Sequence, residues 1–77
     1  MTGTEIKARR TAEGIPGDLV AQRARVGRTK LTAIERGYVQ ASADEISRLS
    51  VALDELVNAK KAVVETALQV GWPVSAL

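Results

Sequence analysis

The sequence predicts an all-α fold: a compact bundle of four to five helices with an extended helix at its C-terminal end. Of its 77 residues 45% are hydrophobic and only 3% aromatic, so the core must be built from Ala, Val, Leu and Ile. Apolar residues recur at spacings of three and four, the period of an amphipathic helix. Turn signals separate these stretches at residues 13 to 18, 25 to 27, 36 to 42 and 71 to 73.

The first two helices are predicted at residues 4 to 13 and 16 to 24. Thr4 is a possible N-cap for the first helix, and Gly14 is suited to end it. The second begins at a proline and carries Asp18 in its first turn, and both features favour a helix N-terminus.

The third helix is predicted from 28 to 36, where Gly37 can end it in a left-handed conformation. Ser42 and Glu45 then form the pattern of a capping box for a fourth helix. Its apolar spacing continues almost unbroken to residue 71, so a boundary near Asp54 is only weakly marked. We nevertheless place a boundary there, which divides the chain into a helix-turn-helix domain over residues 1–53 and a C-terminal helix and tail over residues 54–77.

The short connection between the second and third helices predicts a helix-turn-helix arrangement. In that arrangement Leu31 and Ile34 pack against Val20, Ala24 and Val26. The opposite face of the third helix remains polar and faces outward; it carries Arg28, Thr29, Thr32, Ala33 and Arg36.

The composition excludes several kinds of chemistry. Cysteine and histidine are both absent, which removes disulfides, thiol nucleophiles, the usual zinc ligands and imidazole catalysis. No nucleophile with an adjacent base and no cofactor loop is recognisable, so we expect no enzyme activity, no cofactor and no metal. Without a bilayer-length apolar run or a secretion signal, we expect no membrane partner and a cytoplasmic location.

Positive charge is concentrated in the first half of the chain. Residues 1 to 40 hold eight basic and four acidic groups, a formal charge of +4, whereas residues 41 to 77 hold three basic and five acidic groups, a charge of −2. A polyanion is the natural partner of such a surface. Charge alone leaves open a solvated surface that is merely uneven.

The segment "GIPGDLVAQRARVGRTKLTAIERG" resembles the helix-turn-helix core of the lambda-repressor-like family of phage and bacterial DNA-binding regulators, also called the XRE or Cro type. The resemblance covers about residues 6 to 53, and the "IERG" ending is its most specific part. Matching positions are Ile6, Arg10, Gly14, Ile15, Val20, Ala21, Val26, Leu31, Ile34, Glu35, Arg36 and Gly37.

The sequence departs from the family pattern at four positions. Arg25 stands where a glycine is common, and a left-handed residue other than glycine costs about 1 kcal/mol, which predicts a reshaped turn. Gly27 replaces a serine or threonine cap, Gly17 replaces a glutamine, and Arg9 replaces an apolar residue.

The resemblance implies a sequence-specific regulator that binds double-stranded DNA, a phage or prophage repressor of the Cro type. It assigns contacts with base edges to Arg28, Thr29, Thr32 and Ala33. We expect Lys30 to contact a phosphate, with Arg36, Tyr38 and Gln40 as further candidates for phosphate contacts. Arginine can donate two hydrogen bonds to guanine, and threonine and alanine methyls can touch a thymine methyl. The alternative for Arg28 and Lys30 is a solvated helix face.

The resemblance also implies a salt bridge between Arg10 and Glu35. The C-terminal end of a helix disfavours a negative charge, so a cationic partner would explain Glu35. A catalytic carboxylate is the alternative, although no second acid, nucleophile or metal ligand stands beside it in the sequence.

An apolar stripe follows Asp54 and must be covered. We expect it to pair with a second copy in a homodimer, since the operators of such proteins are usually two-fold; folding back on the domain is the alternative. The dimerisation residues would be Leu56, Val63, Val64, Ala67 and Val70.

Three further expectations concern the C-terminal region and the cell. Trp72 is either a packing anchor after the helix or part of a loose tail. The stripe also suggests an alternative function, a protein-interaction module such as an antitoxin or a phage-encoded inhibitor. As a DNA-binding regulator the protein would be associated with the nucleoid.

Overall fold

The structure, a computed structural model, describes residues 2 to 73 and is helical throughout its regular parts. These residues form four α-helices and no strand: α1 (Gly3–Ala12), α2 (Gly17–Ala24), α3 (Arg28–Glu35) and α4 (Ala43–Val70). The predicted all-α class is confirmed. Residues 74 to 77 of the predicted C-terminal tail lie outside the described residues.

Reciprocal capping boxes begin the first and last helices. At α4 the predicted box is confirmed: the Ser42 side chain accepts from the Glu45 N–H, and the Glu45 carboxylate accepts from the Ser42 N–H. At α1 the predicted N-cap Thr4 is wrong. Thr2 caps the helix instead, because Glu5 stands at the correct distance to complete its box.

The turn between α2 and α3 keeps a left-handed residue although that residue is an arginine. Arg25 has φ of 57°, so the reshaping predicted for this turn does not occur. Arg48 of α4 supports the strained backbone, since its Nη1 lies 3.1 Å from the Ala24 carbonyl oxygen and 3.2 Å from that of Arg25. Gly37, by contrast, ends α3 with the predicted positive φ.

One apolar core joins all four helices. Leu31 and Ile34 share it with Val20, Ala24 and Val26, as predicted. The largest side chains with almost no exposure are Ile6, Val20, Leu31, Leu49 and Leu53. The side of α3 opposite Leu31 is therefore the side available for a partner.

The last helix has 28 residues and is therefore about 42 Å long, close to the longest of the extents of the molecule, 43 × 18 × 18 Å. It continues through Asp54 without a break. Its first half contributes Leu49, Ala52 and Leu53 to the core, and Val57 is the last α4 residue in this cluster of buried side chains. One turn further, Lys60 Nζ donates to the Glu13 carbonyl oxygen at the end of α1, at 3.0 Å.

Candidate nucleic-acid interface

The outward face of α3 and the residues directly after it form a shallow, open groove. Leu31, Ile34 and Glu35 of this helix are buried on the other side. Six residues line the groove: Arg28, Thr29, Thr32, Ala33, Arg36 and Tyr38. The structure thus brings together all four residues assigned to base edges and two of the four assigned to phosphates.

Arg28 is exposed but held in place. Its Nε donates to Asp18 Oδ1 at 2.8 Å, and its Nη1 donates to Thr32 Oγ1 at 2.6 Å. The Thr32 hydroxyl in turn donates to the Arg28 carbonyl oxygen at 3.1 Å. Because the Arg28 side chain retains 47% of its exposure, it remains accessible from the groove.

The glycine at the start of α2 makes room for this guanidinium. A Cβ added to Gly17 would lie 2.8 Å from both Cζ and Nη2 of Arg28 and 3.2 Å from Nη1. Three nearly equal distances indicate that the guanidinium lies face-on against the glycine. The departure at Gly17 therefore has a local reason, since any larger residue would displace Arg28.

Lys30 lies outside the groove and already has an anionic partner. Its Nζ is 2.5 Å from Glu45 Oε2, and half of the Lys30 side chain is exposed. The hydrogen bond from Lys30, together with the Ser42 backbone N–H, lowers the pKa of the Glu45 carboxyl to about 2. Lys30 thus connects α3 with the first turn of α4.

The loop after α3 places its side chains on two different surfaces. Arg36 and Tyr38 line the groove, and Tyr38 is 77% exposed. The Tyr38 N–H donates to the Ala33 carbonyl oxygen at 2.9 Å, which keeps this residue beside α3. Gln40 lines a separate pocket near the start of α1.

Arg10 and Glu35 form a two-bonded ion pair between α1 and α3. Arg10 Nε lies 2.9 Å from Glu35 Oε2, and Nη2 lies 3.0 Å from Oε1. The remaining Nη1 donates to the Ile15 carbonyl oxygen at 3.0 Å. Hydrogen bonding to Glu35 raises the pKa of Arg10, and the carboxylate is only 4% exposed. Both carboxylate oxygens are engaged, as a structural role requires.

The residues assigned to dimerisation differ in exposure. Leu56 packs against the core, and Ala67 is buried near the end of α4. Val63 and Val70 are 52% and 72% exposed, while Val64 is half-buried.

Two exposed residues near the end of α4 were not assigned to this surface from the sequence. Leu68 is 64% exposed, although it belongs to the same helical pattern. Trp72 is 58% exposed, and its backbone N–H donates to the Ala67 carbonyl oxygen at 2.8 Å, which fixes the chain just after Gly71.

No family model, no curated protein and no solved structure matches the chain. Within residues 2 to 73, no helix combines the length and the apolar character needed to cross a membrane.

Proposed function

We propose that the chain is a sequence-specific regulator of transcription that binds double-stranded DNA. In this proposal α2 and α3 are a helix-turn-helix of the lambda-repressor-like type, and the protein is a phage or prophage repressor of the Cro kind. The observation that carries the proposal is the groove on α3, which combines two guanidinium groups, three hydroxyls and the methyl group of an alanine on one accessible face.

The dimensions and chemistry of α3 suit a major groove. An α-helix with its side chains is about 10–12 Å in diameter, and a major groove about 12 Å wide admits it. Arg28 and Thr29 at its start would contact base edges, and Thr32 and Ala33 would contribute hydroxyl and methyl contacts one turn later.

Phosphate contacts would hold the helix in register. Arg36 and Tyr38 border the groove on the C-terminal side of α3. Lys30 would leave Glu45 and bind a phosphate instead. Gln40 would have to contact the DNA backbone from the separate pocket near the start of α1.

The regulator would act by excluding polymerase from its operator. It would occupy an operator and block polymerase as a homodimer joined through the exposed side of α4, in the cytoplasm and associated with the nucleoid. The formal charge of +4 over residues 1 to 40 supports a polyanionic partner. We propose neither catalysis nor a cofactor.

Electrophoretic mobility shift with random genomic fragments, across a salt series, tests DNA binding. We expect affinity to fall steeply as salt rises, because each phosphate contact releases counterions. Arg28→Ala should weaken binding and change the selected fragments. Arg23→Ala is the matched control, since Arg23 is also a half-exposed arginine paired with a carboxylate, that of Glu55, but lies outside the α3 groove.

A protein-interaction module is the second candidate, and the exposure of Val63, Leu68 and Val70 favours it. An antitoxin or a phage-encoded inhibitor would use this surface to bind another protein. Absence of a mobility shift at every salt concentration, together with salt-insensitive binding to a protein, would support this candidate and contradict DNA binding.

A further inference from the structure

We propose that Asp18 is a specificity-determining residue: it holds Arg28 in the orientation that selects guanine. This inference rests on the proposed function and adds to it a residue outside the α3 groove. Asp18 makes no base contact in the proposal. It is a positioning residue, and it acts through the arginine.

Three restraints define the orientation of the guanidinium. Asp18 accepts from Nε, Thr32 accepts from Nη1, and the face of the group lies against Gly17. No hydrogen bond to Nη2 occurs among the described residues. The guanidinium is therefore fixed before any partner arrives, with donors still available at its outer edge.

A fixed guanidinium discriminates between bases better than a free one. Guanine presents two acceptors, O6 and N7, to the major groove, whereas adenine presents N7 beside an amino donor. An arginine with a defined direction matches guanine with two donors and places one of them against the adenine amino group. An unrestrained arginine can turn away to a phosphate, so the protein loses less affinity when the wrong base is present.

The same carboxylate should weaken binding to DNA in general. Asp18 is 84% exposed and stands next to the groove, where its negative charge faces a polyanion. The proposal therefore predicts opposite effects on two quantities. Removing the carboxylate should raise affinity for unrelated duplexes and lower the preference for guanine, and a purely structural role would not produce this combination.

The test uses the full chain and a duplex library with a random core, from which the best site is selected. The position that Arg28 contacts is the one at which the wild type prefers G·C and Arg28→Ala does not. Affinities for this site and for its A·T substitution are then measured with Asp18→Ala. We expect the preference to fall about fivefold or more, since a two-bonded arginine contact accounts for about that much discrimination.

Two further variants separate position from charge. Asp44→Ala is the matched control: Asp44 also lies exposed in the first turn of a helix, with Oδ2 3.0 Å from Arg48 Nε, and its removal changes the charge equally. It should leave the guanine preference unchanged. Asp18→Asn keeps an acceptor for Nε without the charge, so it should keep most of the preference.

Specific outcomes overturn the inference. If Asp18→Ala alters affinity for both duplexes by the same factor, or if Asp18→Asn loses the preference as fully as Asp18→Ala, Asp18 does not position Arg28. If the wild type selects no site from the library, the proposed function fails and the inference fails with it. If the guanine preference of the wild type depends on Arg28 but not on Asp18, the inference fails and the proposed function stands.

Discussion

At the scale of single residues, Arg25 is the clearest departure from ideal local structure. It holds a left-handed conformation that a Cβ makes unfavourable by roughly 1–2 kcal/mol. Two carbonyl bonds from Arg48 and burial of the neighbouring Ala24 and Val26 offset this strain. The turn is therefore determined by its surroundings, not by its own residue.

Replacing this residue with glycine should stabilise the protein. Arg25→Gly removes the strain, while the greater freedom of glycine in the unfolded chain cancels part of the gain, which leaves about 0.5–1 kcal/mol. Thermal unfolding should show a midpoint a few degrees higher. Arg25→Ala is the control, because alanine keeps the Cβ and should give no such increase. A loss of stability in Arg25→Gly would mean that the arginine side chain itself supports the turn.

Glu45 makes a pH-dependent contribution to stability. Its pKa is lowered in the folded protein from an ordinary value of 4.5 to about 2, first by Lys30 and then by Ser42. A depressed carboxyl pKa stabilises the folded state above the unfolded-state value and loses that contribution as pH falls toward the folded-state value. The contribution should thus be complete above about 4.5 and vanish near 2.

Unfolding of wild type and Glu45→Gln over this pH range tests the contribution. Glutamine can still accept from the Ser42 N–H but cannot titrate, so the stability difference between the two proteins should shrink as the pH is lowered. Glu65→Gln, an exposed change elsewhere on α4, controls for removal of one acid. A difference that stays constant with pH would contradict the assignment.

Some residue contacts were visible in the sequence and others were not. Ser42 with Glu45 is a local pattern, and so is Thr2 with Glu5, which the choice of Thr4 overlooked. The bond between Asp18 and Arg28 could not be predicted, because these residues lie on different helices and their contact depends on how α2 and α3 cross. Residue spacing within a short segment therefore predicts capping, but it does not predict contacts between helices.

At the scale of elements, the Arg10–Glu35 pair joins α1 to α3. The carboxylate of Glu35 is almost completely buried, and Arg10 also donates to the Ile15 carbonyl oxygen. Buried pairs of this kind are costly to break on one side, because the remaining charge has no partner, but cost little to replace as a whole by apolar residues.

A double substitution tests this account. Arg10→Met alone should lower the free energy of unfolding by about 3 kcal/mol, whereas Arg10→Met with Glu35→Leu should recover most of the loss. Arg9→Met is the control, since the adjacent Arg9 makes a partly exposed pair with Asp54 and should cost about 0–1 kcal/mol. A double variant as unstable as Arg10→Met would show that the pair contributes more than mutual neutralisation. Denaturant unfolding measures all four proteins.

The last helix shows how far periodicity predicts an element. Apolar spacing predicted a helix continuing beyond Leu53, and α4 indeed runs to Val70. The spacing could not tell which apolar residues are covered, because Leu56 and Val63 lie seven residues apart on one side of the helix, yet Leu56 packs against the core and Val63 is 52% exposed. Coverage depends on where α1 and α2 end, and Lys60 bonded to Glu13 lies close to that limit.

At the scale of the whole molecule, the elongated shape separates two surfaces. The groove on α3 uses the basic first half of the chain, whereas the exposed valines and Leu68 lie toward the end of α4. An isolated stretch of about ten residues is marginal as a helix in water, so the end of α4 would gain stability from a partner. A second copy bound there would leave both α3 grooves free for a two-fold operator.

Val63→Glu tests the homodimer and its link to DNA together. Placing a carboxylate in the middle of the proposed interface should shift the protein toward the monomer in sedimentation experiments, because the charge would be buried in each copy. On a duplex with two half-sites about one helical turn apart, affinity should fall steeply, since each monomer then binds its half-site alone.

Val51→Glu provides a closely matched control for this experiment. Val51 is 53% exposed and Val63 is 52% exposed, and both lie on α4, but only Val63 lies in the proposed interface. The control should keep the wild-type mass and two-site binding, because its new charge stays in solvent. If Val63→Glu sediments like Val51→Glu and both remain dimeric, the interface lies elsewhere. If the wild type is itself a monomer at concentrations where it binds DNA, the exposed side of α4 serves a different partner.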